Sequence, residues 1–569
     1  MELTQKKTKD TTVESFFPLA AQEGVNLAWD RFETQVPECG FCESGLSCRD
    51  CLQGPCISHP FKGDMNKAGI CGKDKETFAA HTLLRLAVKG SMGYLDQAFT
   101  LAEDLADKKL AAQNSDAADT LVKQIQELSL GVPEACFADF PQSMLKAWDT
   151  AGIRPEGVAR DLIKASQKLE GGAHSTEQAM LWVLKCALLG GLTEKLLSGL
   201  RQAAYESAAV SSVGVNLGVL EKDKPNIVIH GFIPTSLKAG IAAAAASQGV
   251  AVSGVCTEAL QPPHVFPQAT NQGSQEIPVL TGAVDLIVAG DQGVNPSLQE
   301  IARQWQVPVI STETLQKTDP EAAAAKIVAD AQRSYETRVG YTRNVPTVKE
   351  TGQMGFTAKT LAVDAIAKAL DSKGIKGVVL LAGGNNVKYS QDNELLALVN
   401  EFLKDDILVL AEGQASVTLA KYGFLNPGNA SKAAGGLQSL LSELGSDVPP
   451  VIDISLYGVT QFFLDLEKKA GKGLKDLPVR TCFCEANGTK EAVMALWLVA
   501  MGVCTYFWPS LPVTGSQSVV AFLNETCAET FGARLHVISR KISAEVKAKT
   551  ISKELLDGKA LSMSGKEWR

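Results

Sequence analysis

No apolar run in the 569 residues reaches the roughly eighteen that a membrane span needs. The nearest, AVMALWLVAMGVCTYFWPSLPV at 492–513, contains Gly502 and a proline-bounded strand, so it reads as a buried helix followed by a buried strand. An excess of basic charge is also missing. Lys and Arg number 55 against 63 Asp and Glu, the net charge is -8, and no basic stripe stands out, which argues against a nucleic-acid partner. The opening MELTQKKTKDTT is polar and has no apolar h-region, so no secretory signal is expected and the expected compartment is the reducing cytoplasm. Disulfides are therefore not expected. Cysteine itself is sparse over most of the chain: seven of thirteen lie outside one stretch. Of these, Cys136 and Cys186 stand alone in helical segments and read as small core residues, as do Cys504 and Cys527.

What is present is concentrated between residues 39 and 71, CGFCESGLSCRDCLQGPCISHPFKGDMNKAGIC. Six cysteines, Cys39, Cys42, Cys48, Cys51, Cys56 and Cys71, follow the spacing C-x2-C-x5-C-x2-C-x4-C-x14-C. Packing asks for no such density, whereas thiolates are the natural ligands of iron–sulfur clusters and of structural zinc. Gly40, Gly45, Gly54, Pro55 and Pro60 interrupt regular structure and let the backbone wrap a compact metal body. Six thiolates exceed one tetrahedral zinc site. They divide as four plus two: Cys48, Cys51, Cys56 and Cys71 around one cubane, with Cys39 and Cys42 left as half a set that a symmetry mate completes. Zinc stays an alternative on spacing alone, since both chemistries use C-x2-C pairs.

Residues 73–210 read as helical, with apolar residues at helical spacing in ETFAAHTLLRLAVKGSMGYLDQAFTLAEDLADKKLA and TEQAMLWVLKCALLGGLTEKLLSGLRQAAYESAA. Near 215 the pattern changes to short β-rich runs alternating with helices. NIVIHG, VAVSGVC, DLIVAGDQG and VPVISTE form one series; GVVLLAGGNN, DILVLAEGQA, PPVIDISLYG, VRTCFCEANG, VCTYFWPSLPVTGS and RLHVISR form a second. Such alternation means parallel sheets wound by helices. The expected class is α/β: a helical, cluster-binding domain at 1–214, then two doubly wound, Rossmann-like domains at 215–372 and 373–569. Ligands bind such sheets at the carboxyl ends of the strands. That edge carries Gly231–Phe232, Cys256, Asp291–Gly293, Gly383–Asn386, Glu412–Gln414, Ser455–Tyr457 and Cys482–Glu485, and a deep cavity is expected between the two facing edges. Cys482 and Cys484 share a face of one strand. Of six histidines, His59 lies beside the cysteine loop, His230 reads as a core residue with some reach to the edge, and His264 lies on the loop past Cys256.

With these residues in view, the chain resembles the catalytic subunit of the anaerobic nickel–iron carbon monoxide dehydrogenases, relatives of the hybrid-cluster proteins. The cysteine loop carries the resemblance together with NLGVLEKDKPNIVIHG (216–231), LTGAVDLIVAGDQ (280–292), the GNN of LAGGNN (384–386) and LPVTGSQSVV (511–520). The resemblance implies a helical domain followed by two doubly wound ones. It implies a relay [4Fe-4S] cluster on Cys48, Cys51, Cys56 and Cys71, and an intersubunit [4Fe-4S] or [2Fe-2S] cluster to which Cys39 and Cys42 contribute. It also implies a homodimer and a redox partner such as a ferredoxin or a larger enzyme complex.

The family holds its nickel–iron cluster with one histidine and five cysteines at strand ends. Here Phe232 stands at the histidine position, Cys256 is kept, and Gly293, Gly384, Gln414 and Leu456 occupy the remaining cysteine positions. The stretch GSMGYLDQ (90–97) matches the family's acid–base histidines, of which only Asp96 remains chemically competent, and Lys490 is one place out of register with the family's lysine. Thiolates are what neutralise and hold such a cluster. The expectation is therefore an iron–sulfur oxidoreductase with a degenerate or remodelled site, the nickel in doubt, with Cys256, Cys482 and Cys484 as metal-ligand candidates beside Glu485, Glu412 and Asp291. Two alternatives stand next to it: an electron-transfer subunit without catalysis, and a true carbon monoxide dehydrogenase whose ligands lie elsewhere.

Overall fold

The computed structural model describes residues 6–59, 68–172, 174–205, 210–255, 265–315, 317–338 and 340–557. Two long helices form the backbone of the helical region. The first, α1 (Lys75–Ala106), starts where Asp74 accepts the Thr77 N–H. The second, α2 (Thr176–Ala204), starts at a reciprocal capping box between Ser175 and Gln178. They pack side by side, and glycine decides how closely a third helix approaches. A Cβ on Gly90 would lie 2.4 Å from the Thr489 carbonyl, and one on Gly191 would lie 2.7 Å from the Trp497 ring.

The first sheet has four parallel strands: β1 (Asn226–His230), β2 (Ala251–Gly254), β3 (Leu286–Ala289) and β4 (Val309–Ser311), in the order β2-β1-β3-β4. The second has six parallel strands: β5 (Gly377–Gly383), β6 (Ile407–Ala411), β7 (Val451–Asp453), β8 (Val479–Cys484), β9 (Cys504–Phe507) and β10 (Leu535–Val537), in the order β7-β6-β5-β8-β9-β10. Every residue of β5 is buried, as a strand covered on both faces requires. The order reverses between β5 and β8, which makes the loops after Gly383 and Cys484 the switch point of this sheet. An antiparallel pair, Ser211–Val215 with Glu350–Met354, ties the entry of the first sheet region to its exit.

The third helix, α3 (Thr489–Ala500), follows β8 but sits against α1 and α2, with Ala492 to Ala500 all buried. Its Trp497 meets Tyr94 edge to face at 5.3 Å. One continuous apolar core therefore spans the helical region and the second sheet, while the first sheet has its own. The lead-in at 1–38 departs from its expected place with the helical domain. Val13, Phe16, Ala20 and Trp29 join the core of the first sheet, because the segment's apolar face finds its cover there. Just before it, Asp10 and Asp392 both pair with the buried Lys421, at 2.9 and 2.7 Å. Among the described residues no helix is long and apolar enough to cross a membrane.

Candidate functional site

The cysteine loop is short of regular structure and tightly folded. Cys39 precedes a single helical turn, Gly40–Glu43, and Cys48 and Cys56 face each other as paired residues of a two-residue antiparallel ladder. Gly54 brings the chain back against the carbonyls of Cys48 and Cys51, and Gly69 lies against Cys56 and the Phe78 ring. Gly45, at φ +79°, passes so close to Pro512 that a Cβ would overlap its carbonyl oxygen. Cys48 is buried, Cys51 and Cys56 are half-buried, and Cys39, Cys42 and Cys71 are exposed.

The thiols sit in a charged frame. Burial raises the Cys48 thiol, the Lys73 and Arg85 cations pull it back, and Cys56 and Cys71 are close enough to raise it further. The Cys42 N–H and then its thiol hold Cys39 below its usual value, with Arg49 adding to the effect. Asp50, between Cys48 and Cys51 in sequence, is wholly buried and pairs with Lys73 at 3.2 Å, His81 at 3.0 Å and Arg85. These partners escaped the sequence reading: Asp50 showed only as a polar residue in SCRDC, and nothing in sequence links it to His81 or to His174 beyond. Cations around several thiolates offset the negative charge that an iron–sulfur cluster gathers, so the donor set and its surroundings fit such a group. Among the described residues no three His, Cys, Asp or Glu side chains converge on one metal ion. A cubane spreads its ligands over a wider cage than a single ion does.

The carboxyl edges of the two sheets meet in a seam, and amides cross it. The Gln272 N–H donates to the Gln414 side-chain oxygen at 3.3 Å, and the Gln272 amide donates to the Gly293 carbonyl at 2.9 Å. Asn271 donates to Thr418 at 2.7 Å, and the Gly273 N–H to the Asn385 oxygen at 3.0 Å. A Cβ on Gly384, φ +121°, would stand 3.9 Å from that of Gln414. Phe232 is buried, and its N–H donates to the Asp291 carbonyl at 2.6 Å. Leu456 is buried on the far side, its carbonyl accepting from Gln202 at 3.2 Å. The expected open cavity between the two edges is thus bridged. A cavity of about 580 Å³ lies instead between α1 and the first sheet, reached by Asp96, Phe232 and Asp291.

A set of titratable groups borders the seam. Gln292 links α1 to the first sheet, donating to Asp96 at 3.0 Å and accepting from Gln97 at 3.1 Å. Burial raises Asp96, a direction that Asp291 reinforces and that Gln292 and Lys490 oppose. The Lys490 ammonium stands 5.0 Å over the Tyr94 ring. Glu412 is pushed up to about 8 by burial, then by Glu491, Glu194 and Asp453, with Lys490 offsetting part.

The expected metal pair Cys482–Cys484 lies inside the second sheet. Both thiols are fully buried on one face of β8. Their charged neighbours are Glu554 and Arg480 for Cys482, and Glu394, Glu485 and Lys547 for Cys484, which belong largely to the covering helix layer. Burial is the first cause that raises both thiols. Glu485 caps the switch point, accepting the N–H groups of Asn385, Asp392 and Glu394. His230 is closed off as well: its Nε2 meets Gln275 at 2.8 Å, its Nδ1 accepts the Gly231 N–H, and burial lowers it to about 4. His59 lies edge-on to Phe41, at 4.8 Å. Cys256 and His264 lie outside the described residues.

A family model described as the Prismane/CO dehydrogenase family matches residues 46–131 and 107–539. Carbon monoxide dehydrogenase 2 of Carboxydothermus hydrogenoformans is 29% identical over 601 residues, which cover 92% of this chain and 94% of that protein. The carbon monoxide dehydrogenase of Rhodospirillum rubrum is 27% identical over 606 residues, with 92% and 94% covered. Among solved structures, carbon monoxide dehydrogenase IV of Carboxydothermus hydrogenoformans superposes with a TM-score of 0.89 at 26% identity, covering 97% of this chain and 99% of its own. Two parallel sheets behind a helical region, a six-cysteine loop and a match over most of the chain lead to one assignment: this chain is a divergent member of the Prismane/CO dehydrogenase family.

Proposed function

We propose that this chain is an iron–sulfur oxidoreductase of the carbon monoxide dehydrogenase type that keeps the electron-relay clusters and has lost the sulfur cage of the nickel–iron site. Cys48, Cys51, Cys56 and Cys71 hold the relay [4Fe-4S] cluster, and Cys39 and Cys42 are one subunit's share of a cluster on the axis of a homodimer. The division into a helical domain at 1–214 and α/β domains at 215–372 and 373–569 is part of this reading. The observation that carries it is the seam. Phe232, Gly293, Gly384, Gln414 and Leu456 supply no thiolate, and Gln272 bonds both to Gly293 on its own side and to Gln414 across the seam. Residues of this kind do not fit a sulfur-rich nickel–iron cluster, and no step through one is assigned here.

A second reading, an electron-transfer subunit that docks a redox partner such as a ferredoxin or a larger enzyme complex, is favoured by Leu52, Ile57 and Ile70, which stand exposed around the cysteine loop. Metal analysis of anaerobically purified protein separates the readings. Iron for the relay clusters without nickel is expected. Iron well beyond those clusters supports a rebuilt third site, and nickel in stoichiometric amount overturns the proposal in favour of a working carbon monoxide dehydrogenase. Light scattering of the cluster-loaded protein is expected to give twice the chain mass.

A further inference from the structure

A chain of titratable groups runs from the cysteine loop to the surface. The Cys48 thiol lies 3.3 Å from Asp50 Oδ2, and the same oxygen is 3.0 Å from His81 Nδ1. His81 Nε2 is 2.9 Å from His174 Nε2, with the two rings nearly parallel at 11°. His81 and Asp50 are fully buried, while His174 is half-buried, next to the exposed Gly171 and Gly172. The groups facing the pair are Asp50 and Lys73 from the loop, Arg85 from α1, and the Leu169 carbonyl and Lys168 from the segment before His174.

The tautomers follow from the partners. A carboxylate only accepts, so His81 carries hydrogen on Nδ1 and offers a bare Nε2; His174 must then donate its Nε2–H. Burial, and Lys73 after it, lowers His81 to about 4, and burial lowers His174, so both rings are neutral at pH 7. An electron arriving at the adjacent cluster adds negative charge, which Lys73 and Arg85 offset in part. That favours a cation on the pair.

We propose that His81 and His174 form a proton-accepting site coupled to the relay cluster, taking up one proton as the cluster takes up one electron. The inference rests on the assignment of that cluster to Cys48, Cys51, Cys56 and Cys71. An external one-electron donor, such as a reduced low-potential dye, gives its electron to the cluster. A solvent proton bonds to His174 Nδ1, and the His174 Nε2–H bond breaks as its proton passes to His81 Nε2. His81 ends as an imidazolium against Asp50, and His174 as the neutral tautomer with hydrogen on Nδ1. Reoxidation runs the same steps backwards.

The test is a redox titration of the full-length, cluster-loaded protein, followed by electron spin resonance, from about pH 8 down to about pH 5. The potential is expected to rise by at least about 59 mV on the acid side, a tenfold coupling for one electron. His81→Gln should abolish the rise at unchanged iron content. His174→Gln alters a half-buried residue, so the fold is spared, and it should move the onset of the rise by about one pH unit. A flat wild-type potential, a rise that survives His81→Gln, or an onset unmoved in His174→Gln overturns the proposal while leaving the cluster assignment intact. Absence of any cluster signal overturns the assignment and the proposal with it.

Discussion

The cysteine loop and the seam between the sheets start from the same resemblance and end in opposite chemistry. In the loop, six thiols lie on a stretch with little regular structure, five of them at least partly exposed, with Lys73, Arg85 and Arg49 close by. In the seam, the described side chains meet as amides and carbon, and the thiols on β8 are buried. A metal cluster needs several cysteine ligands on a backbone free to wrap it, and the loop gathers six cysteines on such a backbone. The seam offers instead a carboxyl, Glu412, that burial and neighbouring carboxylates raise and Lys490 offsets in part.

The measurement that would break this contrast most decisively is carbon monoxide oxidation. Protein reconstituted with nickel and iron is expected to reduce a viologen dye with carbon monoxide at less than about one turnover per second, the low end for ordinary enzymes. Faster turnover would mean that the seam holds a working metal site after all. On the loop side, Cys51→Ser should remove about one cluster's worth of iron per chain and its spin signal on reduction. Unchanged iron would remove Cys51 from the ligand set.

The contrast also depends on α3 locking the second sheet to the helices, because that contact sets where Lys490 and Glu491 stand. Trp497 is fully buried against Gly191 and Tyr94, so Trp497→Ala should cost about 3–5 kcal/mol in denaturant unfolding. A loss below about 1 kcal/mol would mean that the site relaxes around the missing ring, far from the cavity cost expected of a rigid core.

A further effect is expected on the pH dependence of stability. Glu412 and Glu485 both rise to about 8 from 4.5, chiefly through burial. The folded state therefore binds more protons than the unfolded state between those values, and stability falls as pH rises from about 4.5 to about 8. Glu412→Gln should flatten part of that fall, read from urea unfolding across the interval. A variant that loses stability as steeply as the parent would show that water reaches the carboxyl and that the seam is more open than its amide bridges imply.

How much could be read in advance depended on sequence separation. The cysteine loop was legible because its candidate ligands fall within 33 residues, where spacing alone limits geometry. The parallel sheets were legible because strands buried on both faces read as continuous β-rich runs, as in GVVLLAG and DILVLA. For Cys482 and Cys484, alternation shows that two residues share a face but not which layer that face meets. His81 meets Asp50 across 31 residues and His174 across 93, and Gln272 meets Gln414 across 142. Lys421 meets Asp10 across 411 residues. Local periodicity carries no trace of such pairings, since they arise only when separate elements pack.

By itself, then, the sequence determined the α/β class, the thiol-rich loop and the absence of thiols from all but one of the positions where the resemblance led one to seek them, because each is a property of residue type and near-neighbour spacing. Only the tertiary structure decided that the lead-in joins the first sheet, that α3 fuses the helical region to the second, that amides bridge the seam, and that a buried carboxylate connects the loop to a histidine pair. Each of those rests on which surfaces lose water to one another, and that is settled when the whole chain packs.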